Sequence, residues 1–387
     1  MHRSLFRPSL LILAGALALA GVAACGDDGG AAADLDDGWV VTSPEAEGMD
    51  PQVLDGARAY AFADGKNTQG VVVVRHGRIA AEWYWDHADA SSYAASWSMA
   101  KSVTSATIGI ALDRGLIPSL DVPVADYLPS WQGTDHAAIT LRSVLTMTSG
   151  LDWLESYAIS EFNDSDVIAM VVTEGSQLEV VEGQPVAYPP GEHFNYSSGD
   201  AMLLSAVLEG ATGMTAGEFA QQALFAPLGI ETADWWRDAT GNTLTYCCLD
   251  MRSRDFARFG QLYLDGGERD GTRVVSADWV AASTAPSPAY AGYGYMWWRL
   301  GATDPALPAD TYAAIGHDGQ WTYVIPSLDL VVVRNGYYFK SPGDSIAVPN
   351  LFDRYPSEGL VQDAGTTPPD SWDDAAFLGP IIQSIQP

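Results

Sequence analysis

The sequence predicts an α+β protein. One antiparallel sheet is built from both ends of the chain, and a mostly helical lobe is inserted between them. β-rich runs bounded by tight turns stand near residues 70–85 and 293–334, while capped helix signals fill the middle. From Leu116 to about Thr240 strand patterning is nearly absent. Pairing the two strand-rich ends in one sheet is the economical packing solution. A body of about 350 residues can bury one large core or two closely packed lobes.

The elements follow in order. His2, Arg3 and Arg7 precede an apolar run from Leu10 to Ala20, which ends at Val22-Ala23-Ala24-Cys25. The run is too short to favour a membrane span and reads as a secretory signal peptide over residues 1–24. Its ending resembles a bacterial lipobox, which implies cleavage before Cys25 and a lipid on that thiol. Residues 25–37 then form a Gly/Ala/Asp-rich tether with too little apolar surface to fold. The folded domain is expected over residues 38–387, with its helical lobe at about 116–240. The implied location is outside the cytoplasm, anchored by Cys25 in the periplasm, at the outer membrane or at the cell surface.

Asp50-Pro51 is an N-cap and N1 pair for a helix to about Ala63. Gly70 to Arg75 and Arg78 to Trp85 flank His76-Gly77 as a hairpin. A helix opening at Ser98 runs to about Arg114, before Gly115. Thr140 caps a short helix to Leu145, and Ser165 to Val172 is another. A helix from Ser198 to Glu209 is expected to stop at Gly210. Thr215 and Glu218 form a capping box for a helix to Phe225. Ser253 to Leu264 is helical, Tyr293 to Trp298 is an aromatic strand, and Trp321–Ile325 and Leu328–Arg334 make a second hairpin. Ser371 to Gln386 closes with a helix.

The whole chain carries 19 Lys+Arg against 49 Asp+Glu. Two of the basic residues lie in the leader, so the processed chain is near −32. This charge argues against a nucleic-acid partner. Cysteines 247 and 248 are adjacent, and neighbouring cysteines rarely pair because the ring is strained. Buried thiols are expected, with a vicinal disulfide as the alternative. Neither a disulfide framework nor a Cys/His metal spacing is present, and no cofactor is called for.

Ser98 and Lys101 lie one helical turn apart on one face. From Met99 to Leu112 the only charged residue is Lys101, one of three lysines in the chain. A buried lysine needs a lowered pKa or a partner, and its neutral amine can take a proton from a serine hydroxyl. Tyr196 and Ser198 stand where a Pro/Gly loop meets a helix, and a phenol beside the lysine can shuttle a proton. Further along, Gly316-His317-Asp318-Gly319-Gln320 enters a strand, and the glycines permit close approach to a ligand. The Gln320 and Ser98 N–H groups would then form an oxyanion hole.

Ser98/Lys101, Tyr196/Ser198 and His317/Gly319 in this order resemble the serine β-lactamase and penicillin-binding superfamily. The likeness is to its class C β-lactamases, related esterases and 6-aminohexanoate-dimer hydrolases, and spans roughly Val71 to Asn335. Residues 115–129, 139–153 and 255–267 look like the same family. The resemblance implies a β-lactamase/transpeptidase-like fold and a serine hydrolase of amides or esters working through an acyl-enzyme on Ser98. Catalysis would fall to Ser98, Lys101 and Tyr196, and substrate contacts to Ser198, His317, Gly319, Tyr157 and Trp298. Trp153, Asp164 and Tyr295 are further candidates to roof the pocket. β-Lactamases usually carry Asn at position 198 and Lys at 317, so a linear amide or ester is favoured over a β-lactam. The alternatives are a β-lactamase or D-Ala-D-Ala carboxypeptidase, and a non-catalytic lipoprotein that binds cell-wall fragments.

Overall fold

The computed structural model describes residues 35, 37–86, 88–161, 163–336 and 372–386. The expected signal peptide, Cys25, most of the tether and Ser371 lie outside the described residues. Asp37, the last tether residue, belongs to the folded body. Its carboxylate meets Arg254 at 3.3 Å and its carbonyl accepts from Arg258 at 2.7 Å.

Five strands make the main sheet: β1 (Thr68–Arg75), β2 (Arg78–Tyr84), β8 (Tyr312–Gly316), β9 (Gln320–Ile325) and β10 (Leu330–Gly336). Their order is β2-β1-β10-β9-β8 and every neighbour is antiparallel. The sheet does join the two ends of the sequence, through the β1–β10 pair. Shorter strands lie between: β3 (Tyr93–Ala95), β4 (Asp234–Trp235) and β5 (Leu249–Arg252) form one small sheet, and β6 (Glu268–Arg269) pairs with β7 (Thr272–Arg273).

Both faces of the main sheet are covered, which explains the unbroken valine runs. Val71, Val73 and Val332 share a cluster with Leu54, Phe377 and Ile381. Val72, Val74, Val331 and Val333 share another with Met99, Phe256 and Trp297. The first face carries helices α1 (Pro51–Ala61) and, at the chain end, α12 (Asp374–Ser384). On the other, α2 (Met99–Asp113) and α9 (Ser253–Leu264) meet the strands. The remaining helices are α3 (Leu141–Leu145), α4 (Asp166–Val171), α5 (Gln177–Glu182), α6 (Ser198–Thr212), α7 (Ala216–Ala220), α8 (Ala226–Leu228), α10 (Ala277–Ser283) and α11 (Leu300–Thr303), whose Leu300 packs with the first-face cluster.

Several caps match their signals. Asp50 Oδ1 accepts from Gln52 N at 2.9 Å. Thr140 forms a capping box with Ser143, and Thr215 with Glu218. Four expectations need correction. Helix α6 runs through Gly210 to Gly213, because the absent Cβ at 210 makes room for Tyr127. Tyr293–Trp298 is no ladder strand: Met296 adopts φ +62° and Gly294 N donates to Trp297 O within the segment, leaving isolated bridges. Strands β3, β4, β5 and β8 and helix α10 carry no strong sequence signal, being short or rich in alanine. Lastly, Cys247 and Cys248 are paired. Cys248 takes φ +65°, and the two carbonyls are held by Trp235 Nε1 and Trp236 N at 3.0 Å each.

Candidate active site

Ser98 sits at the cap of α2, following Trp97, whose φ of +44° turns the chain sharply into the helix. The helix is buried almost throughout because it is sheathed in Val103, Ala106, Ile108 and Ile110. Lys101 is therefore 1% exposed. Its ammonium donates to Ser98 Oγ at 2.9 Å, Ser198 Oγ at 3.0 Å and the Tyr246 carbonyl at 3.0 Å. All three donors of the amine are thus used. Burial drives the Lys101 pKa down to about 8, while the charge of Glu155 pulls it back up.

Tyr196 stands two residues before α6 and its ring centre is 5.0 Å from the Lys101 amine. Burial, and then the Glu155 charge, push its phenol up, against a smaller opposite effect of the Ser98 hydroxyl. The resting Tyr196 therefore keeps its proton. Trp298 stacks on Tyr196 at 5.3 Å.

Glu155 was not flagged by any sequence pattern. Its carboxylate accepts from Ser198 Oγ (2.6 Å), Ser198 N (2.8 Å), Trp153 Nε1 (2.7 Å) and the Tyr157 hydroxyl (2.9 Å). It thus folds the loop around itself and docks it on the N-terminus of α6, where an anion is favoured. Ser198 is wholly buried, donating to Glu155 and accepting from Lys101. Its hydroxyl is a link within the site rather than an open substrate contact.

The third motif is the turn between β8 and β9. Gly316 lies against the residues before Ser98, and a Cβ there would fall 2.2 Å from Ser96 O. Gln320 pairs with Gly316, so its backbone lies beside the same segment. The Gln320 side chain faces away, bonding Gly336 O and Asn335. Gly319 adopts φ +81° over Arg334, whose Nη1 donates to the Asp318 and Gly319 carbonyls. Arg334 is itself wholly buried and lies 4.5 Å from the Trp372 ring centre. Like Glu155, it is a support that the sequence did not announce. His317 Nδ1 bonds Asp318 at 2.5 Å, which raises the imidazole pKa against the effect of burial. Its ring lies 5.0 Å from Tyr157 and 6.1 Å from Trp97. Tyr157 is exposed, as is Asp164, whereas Trp153 is buried against Gly199. Tyr295 is turned toward Arg142 and Trp279 and takes no part.

A buried lysine between two serines, a protonated tyrosine and a glycine turn on one sheet edge define the class of serine hydrolases that use lysine in place of histidine. The β-lactamase family model matches residues 57–341, and the chain belongs to that family. It is 27% identical over 287 residues to the 6-aminohexanoate-dimer hydrolase of Paenarthrobacter ureafaciens, covering 69% of this chain and 72% of that one. Among solved structures, a family VIII carboxylesterase superposes with a TM-score of 0.59 at 16% identity, over 78% of this chain and 94% of that one. A penicillin-binding protein homologue from Caulobacter crescentus gives 0.58 at 15% identity, over 74% and 92%. The fold and family expected from the motif order are those found.

Proposed function

We propose that the protein hydrolyses a linear amide or ester by acyl transfer to Ser98. The contact of Lys101 Nζ with Ser98 Oγ carries this reading. An amine with a pKa of about 8 is partly neutral under mildly alkaline conditions and then takes the Ser98 proton as Oγ attacks the carbonyl. Tyr196, still protonated, gives its proton to the leaving group and recovers one from the Lys101 ammonium beside it, which leaves Lys101 neutral again. The N–H groups of Ser98 and Gln320 receive the oxyanion. Water then enters with Lys101 and Tyr196 as the same acid–base pair, and the free acid leaves. His317, Gly319, Tyr157 and Trp298 line the substrate side.

The preference for a linear substrate rests on the second and third motifs. With the Ser198 hydroxyl engaged by Glu155 and Lys101, position 198 has no amide to offer a β-lactam side chain. Position 317 supplies an imidazole held by Asp318. The similarity to a 6-aminohexanoate-dimer hydrolase supports the same choice.

A chromogenic short-chain ester should show a pre-steady-state burst and steady turnover that Ser98→Ala abolishes. A linear amide should be turned over more efficiently than nitrocefin. Equal ester rates in wild type and Ser98→Ala would refute the mechanism, and efficient nitrocefin hydrolysis would refute the substrate preference. The leader and Cys25 further suggest an extracytoplasmic lipoprotein, and a disulfide suits that oxidising compartment. Radiolabelled palmitate should enter the wild type and not Cys25→Ala.

A further inference from the structure

The Cys247–Cys248 disulfide has no part in the chemistry above, yet both of its flanks touch the catalytic segment. On one side the Tyr246 carbonyl accepts from Lys101 Nζ at 3.0 Å. On the other, Leu249 N donates to Ser96 Oγ and Ser96 N donates to Leu249 O, each at 2.9 Å. Ser96 stands two residues before the nucleophile, and Lys101 three residues after it. The pair therefore lies midway between two clamps on one loop-to-helix junction.

The segment around it has little freedom. Thr245 is fixed on both sides, with its hydroxyl donating to Ala201 O and its carbonyl accepting from Thr104. The Tyr246 hydroxyl donates to Gln177 at 2.7 Å. The bond between adjacent residues closes an eight-membered ring around their shared peptide, and Cys248 takes φ +65°, unusual for a residue with a side chain. Opening the ring frees the 247–248 peptide to leave that conformation. The neighbours able to respond first are the Tyr246 carbonyl and the Leu249 backbone.

We propose that the Cys247–Cys248 disulfide is a positioning element for Lys101, holding the Tyr246 carbonyl against the amine, so that hydrolysis depends on the redox state of the pair. The consequence for turnover rests on Lys101 acting as the base of Ser98; the effect on Lys101 itself does not. Reduction is a two-electron step. A small dithiol gives two electrons and two protons, the S–S bond breaks, Cys247 and Cys248 become thiols, and the reductant closes into its own disulfide. Lys101 then loses a carbonyl acceptor that favours its charged form, while Glu155, Tyr196 and Tyr246 still face it.

The test compares oxidised and dithiothreitol-treated full-length protein, with the state of the pair read by peptide mass spectrometry after alkylation. With only three lysines in the chain, [13Cε]lysine NMR can follow Lys101 directly. Reduction should lower its pKa and cut ester kcat by about ten- to a hundredfold, the scale expected for a misplaced catalytic group, with KM changed far less. Reoxidation with oxidised glutathione should restore both. Cys247→Ala with Cys248→Ala should match the reduced enzyme and ignore dithiothreitol. If that variant does not fold, reversible reduction of the wild type decides alone. An unchanged Lys101 titration and unchanged kcat after verified reduction would overturn the proposal. A shifted Lys101 titration in a protein without ester or amide turnover would uphold the positioning role and refute the hydrolase reading.

Discussion

At the scale of single residues, the charge state of Lys101 is a contest between burial and Glu155. Burial favours the neutral amine and the carboxylate favours the ammonium, with the outcome near 8. If neutral Lys101 is the base, kcat/KM rises with pH through that value. Glu155→Gln removes the opposing charge, so the rising limb should move to lower pH. The same change is structurally costly. All four partners of Glu155 donate hydrogen bonds, and a carboxamide cannot accept at both ends. Leaving such a buried donor unmatched costs about 1–3 kcal/mol, so a lower urea midpoint should accompany the shifted limb. A pH–kcat/KM profile with an unmoved limb would refute the electrostatic role even if stability fell. Lys101→Ala should lower kcat by roughly 10²–10⁴-fold, the usual contribution of a general base. Ser98 and Lys101 were legible in the sequence because spacing on a helix fixes geometry. Glu155 was not, since it lies in a loop with no periodicity and meets Ser198 only through the tertiary fold.

Element by element, the site is assembled from helix starts and one strand turn. The start of α6 carries Tyr196, Ser198 and Asp200, and its cap comes from Ser197. Asp200 is buried beside Ser149 Oγ at 2.6 Å, and burial raises its carboxyl pKa to about 7 despite that bond. The sign follows from linkage: an acid whose pKa is higher folded than unfolded supports the fold while protonated. That support is fully present below about pH 4 and is lost as pH rises through about 7. Thermal stability should fall between pH 5 and pH 8, and Asp200→Asn should flatten that slope. A mutant slope as steep as the wild type's would assign the effect to another group. At the β8–β9 turn, Gly316→Ala would place a Cβ 2.2 Å from Ser96 O. Backbone cannot step aside as a flexible side chain can, so a cost of about 1–3 kcal/mol is expected, with loss of activity from the displaced Gln320 backbone. Urea unfolding and ester turnover check the two parts. Caps and hairpins of this kind could be read from residue types. Strand β8, with Ala313, Ala314 and Gly316, could not, because alanine and glycine carry little strand propensity and Gly316 answers to the packing of Ser96 and Trp97.

For the whole molecule, the deciding quantity is charge. The formal net charge is −30, and the few cations are partly withdrawn from the surface. Lys101, Arg254, Arg258 and Arg334 are each no more than 2% exposed. Arg254 is matched there by Glu82 and Asp37, so Asp37 is pinned by an internal pair. Glu47, Asp200, Asp250, Asp255 and Asp318 are buried as well, so the acidic excess of the composition stays on the exterior. Like charges held together in a compact body repel more than in an extended chain. Added salt shortens the reach of that repulsion, to about 10 Å at 0.1 M, and screens buried pairs much less. The two effects act in the same direction here, because the pairs that stabilise the body are inside and the repulsion is outside. The melting temperature should rise by a few degrees as NaCl increases from about 0.02 to about 0.5 M, and KCl should match it at equal ionic strength. A fall with salt would mean that attractive surface pairs outweigh the acidic excess. A rise in NaCl without one in KCl would point to ion-specific binding rather than screening.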